Sequence, residues 1–334
     1  MAAKRLVAVG YQADDEFARV NADVLSDAAD IVYTHDLDDA GRSQAIRRAD
    51  ALLAYELPKE IPAGALDDRG SLSFVQFLST GVDSVDFTEL PAALTVACNA
   101  GAYAGAVSEQ ALAMALSLAK RLPQRHASLA AGVFDKWSPA LTLNGATCVI
   151  LGFGGIGTTT ARMMRAFGAR ICAVTRTGQT TEPAEATAAI ADLRRVLPTA
   201  DVLIIALPLT LATRGLIGER ELRLMKPDAI LVNVARGPII DQAALYEHLR
   251  THQDFTAGID TWWEEPAGDA PFRTDYPFLE LPNVLGSPHN SSIVAGTMIS
   301  AARLAAINVR RYLSGEPVTG IIRRSDYVAG QGAQ

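Results

Sequence analysis

Short apolar runs recur along this chain, each followed by a longer stretch with helical spacing, and few folds satisfy that alternation. Residues 6–9, 31–33, 51–55 and 74–78 read as strands in the first hundred residues. Between them, helical stretches run to about residue 28 and over 41–49. After a long helix over 104–120, a second series reads as strands at 147–151, 170–174, 202–206 and 229–233. Residues 256–260 and 283–286 are two further candidates, and a helix follows from about 291 to 313. Strands separated by helices pair in parallel, because parallel neighbours need a crossover connection. The near-continuous apolar character of the runs fits sheets covered on both faces. The pattern therefore predicts an α/β chain with two doubly wound parallel-sheet lobes.

A length of 334 residues can supply a core for each lobe. No apolar run approaches the ~18 residues of a membrane helix. Only residues 6–10 separate Arg5 from the polar segment that begins near Gln12, too short for a secretory signal. Cys98, Cys148 and Cys172 are odd in number and widely spaced. They suit neither a disulfide framework nor a metal-binding pair, so a cytoplasmic location is expected. The net charge of −7 is uneven: residues 1–100 carry −9 and residues 101–334 carry +2. Neither part offers the basic face of a nucleic-acid protein, and no membrane or nucleic-acid partner is expected. Residues 330–334 read as a frayed tail.

The segment Gly152-Phe153-Gly154-Gly155-Ile156-Gly157 follows a predicted strand and opens a predicted helix running to about Phe167. This is G-x-G-x-x-G in the context that gives it meaning. The first glycine permits a tight turn, the second admits a pyrophosphate, and the third lets helix and strand pack closely. Free N–H groups at the helix start then attract a dinucleotide's phosphates. A glycine-rich turn without function is the competing reading, and the strand–turn–helix setting argues against it. The next strand ends at Thr175, 18 residues beyond Gly157, where an Asp or Glu usually accepts from the ribose hydroxyls of NAD. Here Thr175-Arg176-Thr177 offers two hydroxyls and a guanidinium instead. They suit a 2′-phosphate, so NADP(H) is expected in preference to NAD(H).

Three more segments fall at predicted strand ends: Val232-Asn233-Val234-Ala235-Arg236-Gly237-Pro238, Asp260-Thr261-Trp262-Trp263-Glu264-Glu265-Pro266 and Ser287-Pro288-His289-Asn290. With the glycine motif, Ser79-Thr80-Gly81-Val82-Asp83 and residues 99–110, they resemble the D-isomer-specific 2-hydroxyacid dehydrogenase family. The resemblance covers nearly the whole chain. It implies a dinucleotide-binding (Rossmann) domain over 102–289, inserted in a flavodoxin-like substrate domain formed by 1–101 plus 290–334. The implied activity is NAD(P)-dependent interconversion of a small 2-keto acid and its D-2-hydroxy acid, in a homodimer built around the helix over 104–120.

The same resemblance assigns roles. Arg236 would grip the substrate carboxylate and carbonyl oxygen, since a guanidinium offers a fork of donors. His289 would be the general acid/base, and Glu265, the acid directly before the proline, would hold the imidazole and favour its protonated form. Gly81 and Val82 would lend backbone N–H groups to the substrate; Tyr55, which the resemblance does not assign, is a further candidate to face it. Asp260 would accept from the nicotinamide carboxamide, and Leu207, Pro208, Thr213, Val234 and Ala235 would complete the cofactor site. The chain departs from the family at Asn290-Ser291-Ser292, where many members have a glycine pair, and at the bulky Trp262-Trp263, which either pack core or narrow the substrate pocket.

Other readings are weaker. A dinucleotide-sensing binding protein of corepressor type resembles the same family, and a turnover assay with pyruvate, glyoxylate and hydroxypyruvate discriminates it from an enzyme. A formate dehydrogenase-like hydride donor would pair its histidine with Gln, where this chain has Glu265. His248 and His252, four apart, lack the glutamate and third ligand of a zinc protease and read as a solvated helix end. No metal site is expected. Tyr103 is a further candidate to face a ligand.

Overall fold

The computed structural model describes residues 4–66 and 70–329, and the chain divides into two compact units. The tail predicted over 330–334 lies outside the described residues. The first unit falls within Met1–Tyr103 and Val294–Gln334; the second is Ala104–Ile293. No helix among the described residues is long and apolar enough to cross a membrane.

In the first unit β1 (Arg5–Val9), β2 (Ala29–Tyr33), β3 (Ala51–Ala54), β4 (Phe74–Phe77) and β5 (Thr95–Ala97) form a parallel sheet in the order β2-β1-β3-β4-β5. That is the flavodoxin-like order. Helices α1 (Asp15–Leu25), α2 (Asp39–Arg48) and α3 (Leu57–Glu60) lie between the strands. Asp14 caps α1 by accepting from the N–H groups of Glu16 and Phe17, and Asp38 caps α2 at Gly41. Side chains alternate across each strand, so β1 feeds both faces of the sheet. Val7 and Val9 join Val24 of α1 on one face, and Ala8 joins Ile46 of α2 on the other.

The second unit holds β6 (Thr147–Leu151), β7 (Arg170–Thr175), β8 (Ala186–Ala189), β9 (Val202–Ile205), β10 (Ile230–Asn233), β11 (Thr256–Ile259) and β12 (Val284–Gly286). All seven pair in parallel, in the order β12-β11-β10-β9-β6-β7-β8. Counted within the unit, this is the doubly wound order 3-2-1-4-5-6 with one strand added. The helices are α4 (Ala104–Ala119), α5 (Leu122–Ala130), α6 (Gly155–Ala166), α7 (Leu193–Val196), α8 (Glu219–Leu224) and α9 (Gln242–Thr251). The chain then returns to the first unit in α10 (Thr297–Leu313), whose Ala302, Ala305, Ala306 and Val309 close one face of that sheet.

Two differences from expectation have local causes. The short strands β5 and β8 carry too few apolar residues to stand out, and pairing with β4 and β7 completes them. The last helix begins at Thr297 rather than 291, because Gly296 precedes it in a left-handed conformation (φ 78°) and ends the preceding turn. Helix α4 turns its stripe of Val107, Ala111, Met114, Ala115 and Leu118 into its own unit, packing on α6, β10 and β11. The small residues of that stripe serve a close helix crossing, where Thr160 donates to Ser108 and Ser108 to the Ile156 carbonyl.

The pair on α9 also differs from expectation. His248 is 9% exposed, stacks on His252 with ring centroids 4.2 Å apart and meets Phe255 edge-on. Aromatic packing, not solvation, fixes it. Burial, reinforced by His252 and Arg223, lowers its pKa to about 4. The unfolded chain takes up this proton near pH 6.5 and the folded one only near 4, so the shift costs stability as pH falls through that window. His248→Phe keeps the ring and removes the titration. It should raise unfolding stability at pH 4.5 by about 1–2 kcal/mol more than at pH 7.5. Urea denaturation at the two pH values measures this; an equal effect at both would refute it.

Candidate active site

Because the second sheet is wholly parallel, the segments that follow its strands emerge at one edge, the edge where open α/β sheets bind ligands. The glycine motif follows β6. Gly152 has φ 91°, and a Cβ there would stand 2.5 Å from the Ala206 carbonyl oxygen after β9. A Cβ on Gly157 would fall 1.9 Å from the Gly152 oxygen. Only glycine allows these two approaches. Gly154, by contrast, faces open space. No side chain caps α6, so the N–H groups of its first turn, at Gly155, Ile156 and Gly157, remain available to an anion.

After β7, Thr175 donates to the Gln179 carbonyl, and Arg176 and Thr177 are exposed with no carboxylate among the three residues. After β9 come Leu207 and Pro208. Thr213 donates to the Pro208 carbonyl (2.7 Å) and accepts from the Thr210 N–H (2.8 Å), so its hydroxyl shapes this turn.

The turn after β10 is built by Asn233, whose role the sequence reading missed. Its side-chain amide donates to the Arg236 carbonyl and its oxygen accepts from the Ala235 N–H. Val234 and Ala235 are buried, and the half-buried Arg236 guanidinium donates to the Ala235 carbonyl at 2.8 Å. A Cβ on Gly237 would lie 2.3 Å from the Trp262 backbone, so this turn is seated directly on the segment after β11.

That segment opens with Asp260 and Thr261, both fully buried. Asp260 Oδ1 accepts from Ser287 Oγ at 2.5 Å; Oδ2 accepts no hydrogen bond. Trp262 packs in the core and its indole donates to the Ser287 carbonyl, while Trp263 stacks on Phe278 and donates to the Ile240 carbonyl. Both tryptophans thus serve packing.

Glu265 Oε1 accepts from the Trp262 N–H (3.1 Å), and Oε2 lies 2.7 Å from His289 Nδ1. Glu264 is exposed and takes no part. Burial pushes the Glu265 carboxyl up, but the His289 contact, the Trp262 N–H and the charges of His289 and Arg236 outweigh it and hold the group below the usual carboxylate range. Glu265 is therefore an anion at neutral pH, under the influence of both candidate cations. His289 has φ 49°, in the left-handed region that side chains other than glycine rarely adopt, and its N–H donates to the Asp260 carbonyl at 2.8 Å. Strain of this kind concentrates at functional sites.

The first unit has strand-end candidates of its own. Tyr55 follows β3, is 45% exposed and donates its N–H to the Glu60 carboxylate. Gly81 and Val82 follow β4, with the Gly81 carbonyl held by Ser79. Tyr103 is buried and donates to the Leu78 carbonyl, so its hydroxyl is taken. In the second unit a hollow of about 290 Å³, lined by Leu143, Asp201, Asp228 and Ile230, opens at the opposite ends of β9 and β10 and carries none of the candidate residues.

These arrangements fit a nicotinamide dinucleotide: an open glycine, an uncapped helix start and an unpaired carboxylate oxygen lie along one sheet edge. Comparison with known proteins agrees. Residues 112–291 match the family model described as "D-isomer specific 2-hydroxyacid dehydrogenase, NAD binding domain". The chain is 33% identical over 282 residues to a glyoxylate reductase of Thermococcus gammatolerans, covering 82% of each. A solved D-isomer specific 2-hydroxyacid dehydrogenase family protein from Aeromonas salmonicida has a TM-score of 0.77 at 26% identity, covering 96% of this chain and 99% of that one. A D-isomer specific 2-hydroxyacid dehydrogenase from Xanthobacter autotrophicus Py2, solved with NADPH and MES, has a TM-score of 0.77 over 98% of this chain and 100% of its own. At 24% identity, that likeness is one of fold.

Proposed function

Since the chain belongs to the D-isomer-specific 2-hydroxyacid dehydrogenase family and is an NAD(P)-dependent enzyme of that class, we propose that it reduces a small 2-oxo acid such as glyoxylate to the 2-hydroxy acid, the D-isomer where the product is chiral, with Arg236, His289 and Glu265 as its machinery. The observation that carries the assignment is the 2.7 Å contact between His289 Nδ1 and Glu265, on a strained backbone at the edge that holds the glycine turn.

When bound, the dinucleotide supplies the hydride. The chain supplies binding, orientation and the proton. Gly152, Gly154, Gly155, Ile156 and Gly157 hold the diphosphate, Thr175, Arg176 and Thr177 the 2′-phosphate of NADP(H), and Leu207, Pro208, Thr213, Val234, Ala235 and Asp260 the remainder. Arg236 binds the carboxylate and polarises the carbonyl oxygen, because its planar fork matches an α-keto acid. The N–H groups of Gly81 and Val82 are assigned to the substrate by family resemblance, and Tyr55, exposed at the end of β3, is a further candidate. Since Glu265 occupies Nδ1, the imidazolium donates from Nε2 to the carbonyl oxygen as the alcohol forms. Glu265, held ionised, stabilises that imidazolium and fixes its ring.

We further propose a homodimer built around α4 and the exposed apolar side chains that follow it. Leu122, Leu129 and Val133 are exposed, and Phe134 and Trp137 are 79% and 83% exposed. Large apolar side chains left in water this close together in the chain are a usual mark of an association surface.

Three measurements test these assignments. His289→Ala should lower kcat for glyoxylate reduction by a factor of about 10²–10⁴ while leaving the cofactor dissociation constant within about twofold; an unchanged kcat would remove His289 from the mechanism. Arg176→Ala should raise the KM for NADPH about tenfold or more and leave that for NADH nearly unchanged. Equal losses with both cofactors would show that Arg176 does not read the 2′-phosphate. In light scattering at micromolar concentration the protein should run as a dimer, and Phe134→Asp with Trp137→Asp should shift it toward monomer. A wild-type monomer would end the dimer proposal.

A further inference from the structure

The seat of Asp260 contains a directional chain of hydrogen bonds that the family motifs leave unassigned. Gln110 Nε2, on α4, donates to Ser287 Oγ at 3.1 Å, and Ser287 Oγ donates to Asp260 Oδ1 at 2.5 Å. Ser287 is itself pinned by its main chain: its N–H donates to the Ile259 carbonyl at 2.9 Å, and its carbonyl accepts from the Trp262 indole at 2.9 Å. A serine hydroxyl has one hydrogen to give. With the Gln110 amide N–H aimed at its oxygen, that hydrogen goes to the carboxylate. The reverse orientation of the Gln110 amide would set two acceptors in competition for one hydrogen and leave one of them unpaired. Asp260 is fully buried and Oδ2 accepts nothing from the chain. An unpaired carboxylate oxygen in the interior is costly until a donor reaches it.

We propose that Gln110 and Ser287 are positioning residues that hold Asp260 as a pure acceptor with Oδ2 presented to a ligand donor, so that the site selects a pyridine ring bearing a carboxamide over one bearing a ketone. The carboxamide offers N–H donors and the ketone none. The inference rests on the reading of Asp260 as the carboxamide partner. Neither Gln110 nor Ser287 needs to touch the cofactor: they fix which oxygen of Asp260 is engaged and how the carboxylate is turned. Loss of either lets the carboxylate rotate and redirects its unpaired oxygen.

Equilibrium binding of NADPH and of its reduced 3-acetylpyridine analogue, followed by quenching of protein fluorescence, tests this without turnover. Wild-type protein should bind NADPH about tenfold or more tightly than the analogue, the ratio expected for a lost hydrogen bond to a charged group. Asp260→Ala should bring the ratio near one. Gln110→Leu and Ser287→Ala should each reduce it to about threefold or less, chiefly by weakening NADPH, and Ser287→Thr should restore it. Binding of 2′,5′-ADP, which lacks the pyridine ring, should stay within about twofold in every variant and reports an intact fold. If Asp260→Ala keeps the wild-type ratio, the reading of Asp260 is wrong. If Asp260→Ala abolishes the ratio while Gln110→Leu and Ser287→Ala both keep it, the Gln110–Ser287 chain is overturned and Asp260 stands alone.

Discussion

All seven strands of the second unit run in one direction, and the placement of every candidate residue in that unit follows from this. A parallel sheet sends each connection back across a face, so the segments that leave the strands gather at one edge. At the reversal of strand order, β6 lies beside β9, and the first glycine turn comes within a Cβ's reach of the Ala206 backbone. Any side chain at Gly152 would separate the two strand ends. The turn, the start of α6 and the wall formed after β9 therefore stand or fall together. For an anion this edge offers backbone N–H groups at an uncapped helix start rather than polar side chains.

The end of the same edge that carries Arg236, Glu265 and His289 is built differently, from side chains that hold one another. Asn233 shapes the turn that carries Arg236, and Gly237 lets that turn rest on Trp262. Trp262 then grips both neighbours, its backbone N–H on Glu265 and its indole on the Ser287 carbonyl. His289 is tied to Asp260 through its backbone and to Glu265 through its ring. The buried polar groups among these, Asn233 and Asp260, are of a kind that is costly when unpaired and rigid when paired. Three separate loops are thereby set in one register, and an imidazole can be kept in a strained backbone conformation.

Much of this was legible from residues alone, though unevenly. The apolar runs of β1, β6, β7 and β9 stood out because strands covered on both faces need uninterrupted apolar side chains. The glycine motif was legible because backbone geometry, which glycine alone relieves, leaves a fixed spacing. The strands β5 and β8 were not, since three or four small residues acquire strand character only beside a partner. His248 was misread for a related reason: spacing on a helix shows which residues share a face, but not whether Phe255 and His252 will cover it.

Taken by itself, the sequence determined the α/β class, the boundaries of most buried strands and the glycine turn, because period, apolar content and steric allowance are local properties. It also determined which acid and which base belong to the family pattern, through the order of motifs along the chain. Only the tertiary structure decided that the stripe on α4 packs within its own unit, that Trp262 and Trp263 are structural, and that Asp260 keeps one oxygen paired and the other unpaired. These outcomes depend on side chains up to 177 residues apart, as Gln110 and Ser287 are. A buried polar atom's partner is chosen by which segments the sheet brings together. No spacing along the chain encodes that choice.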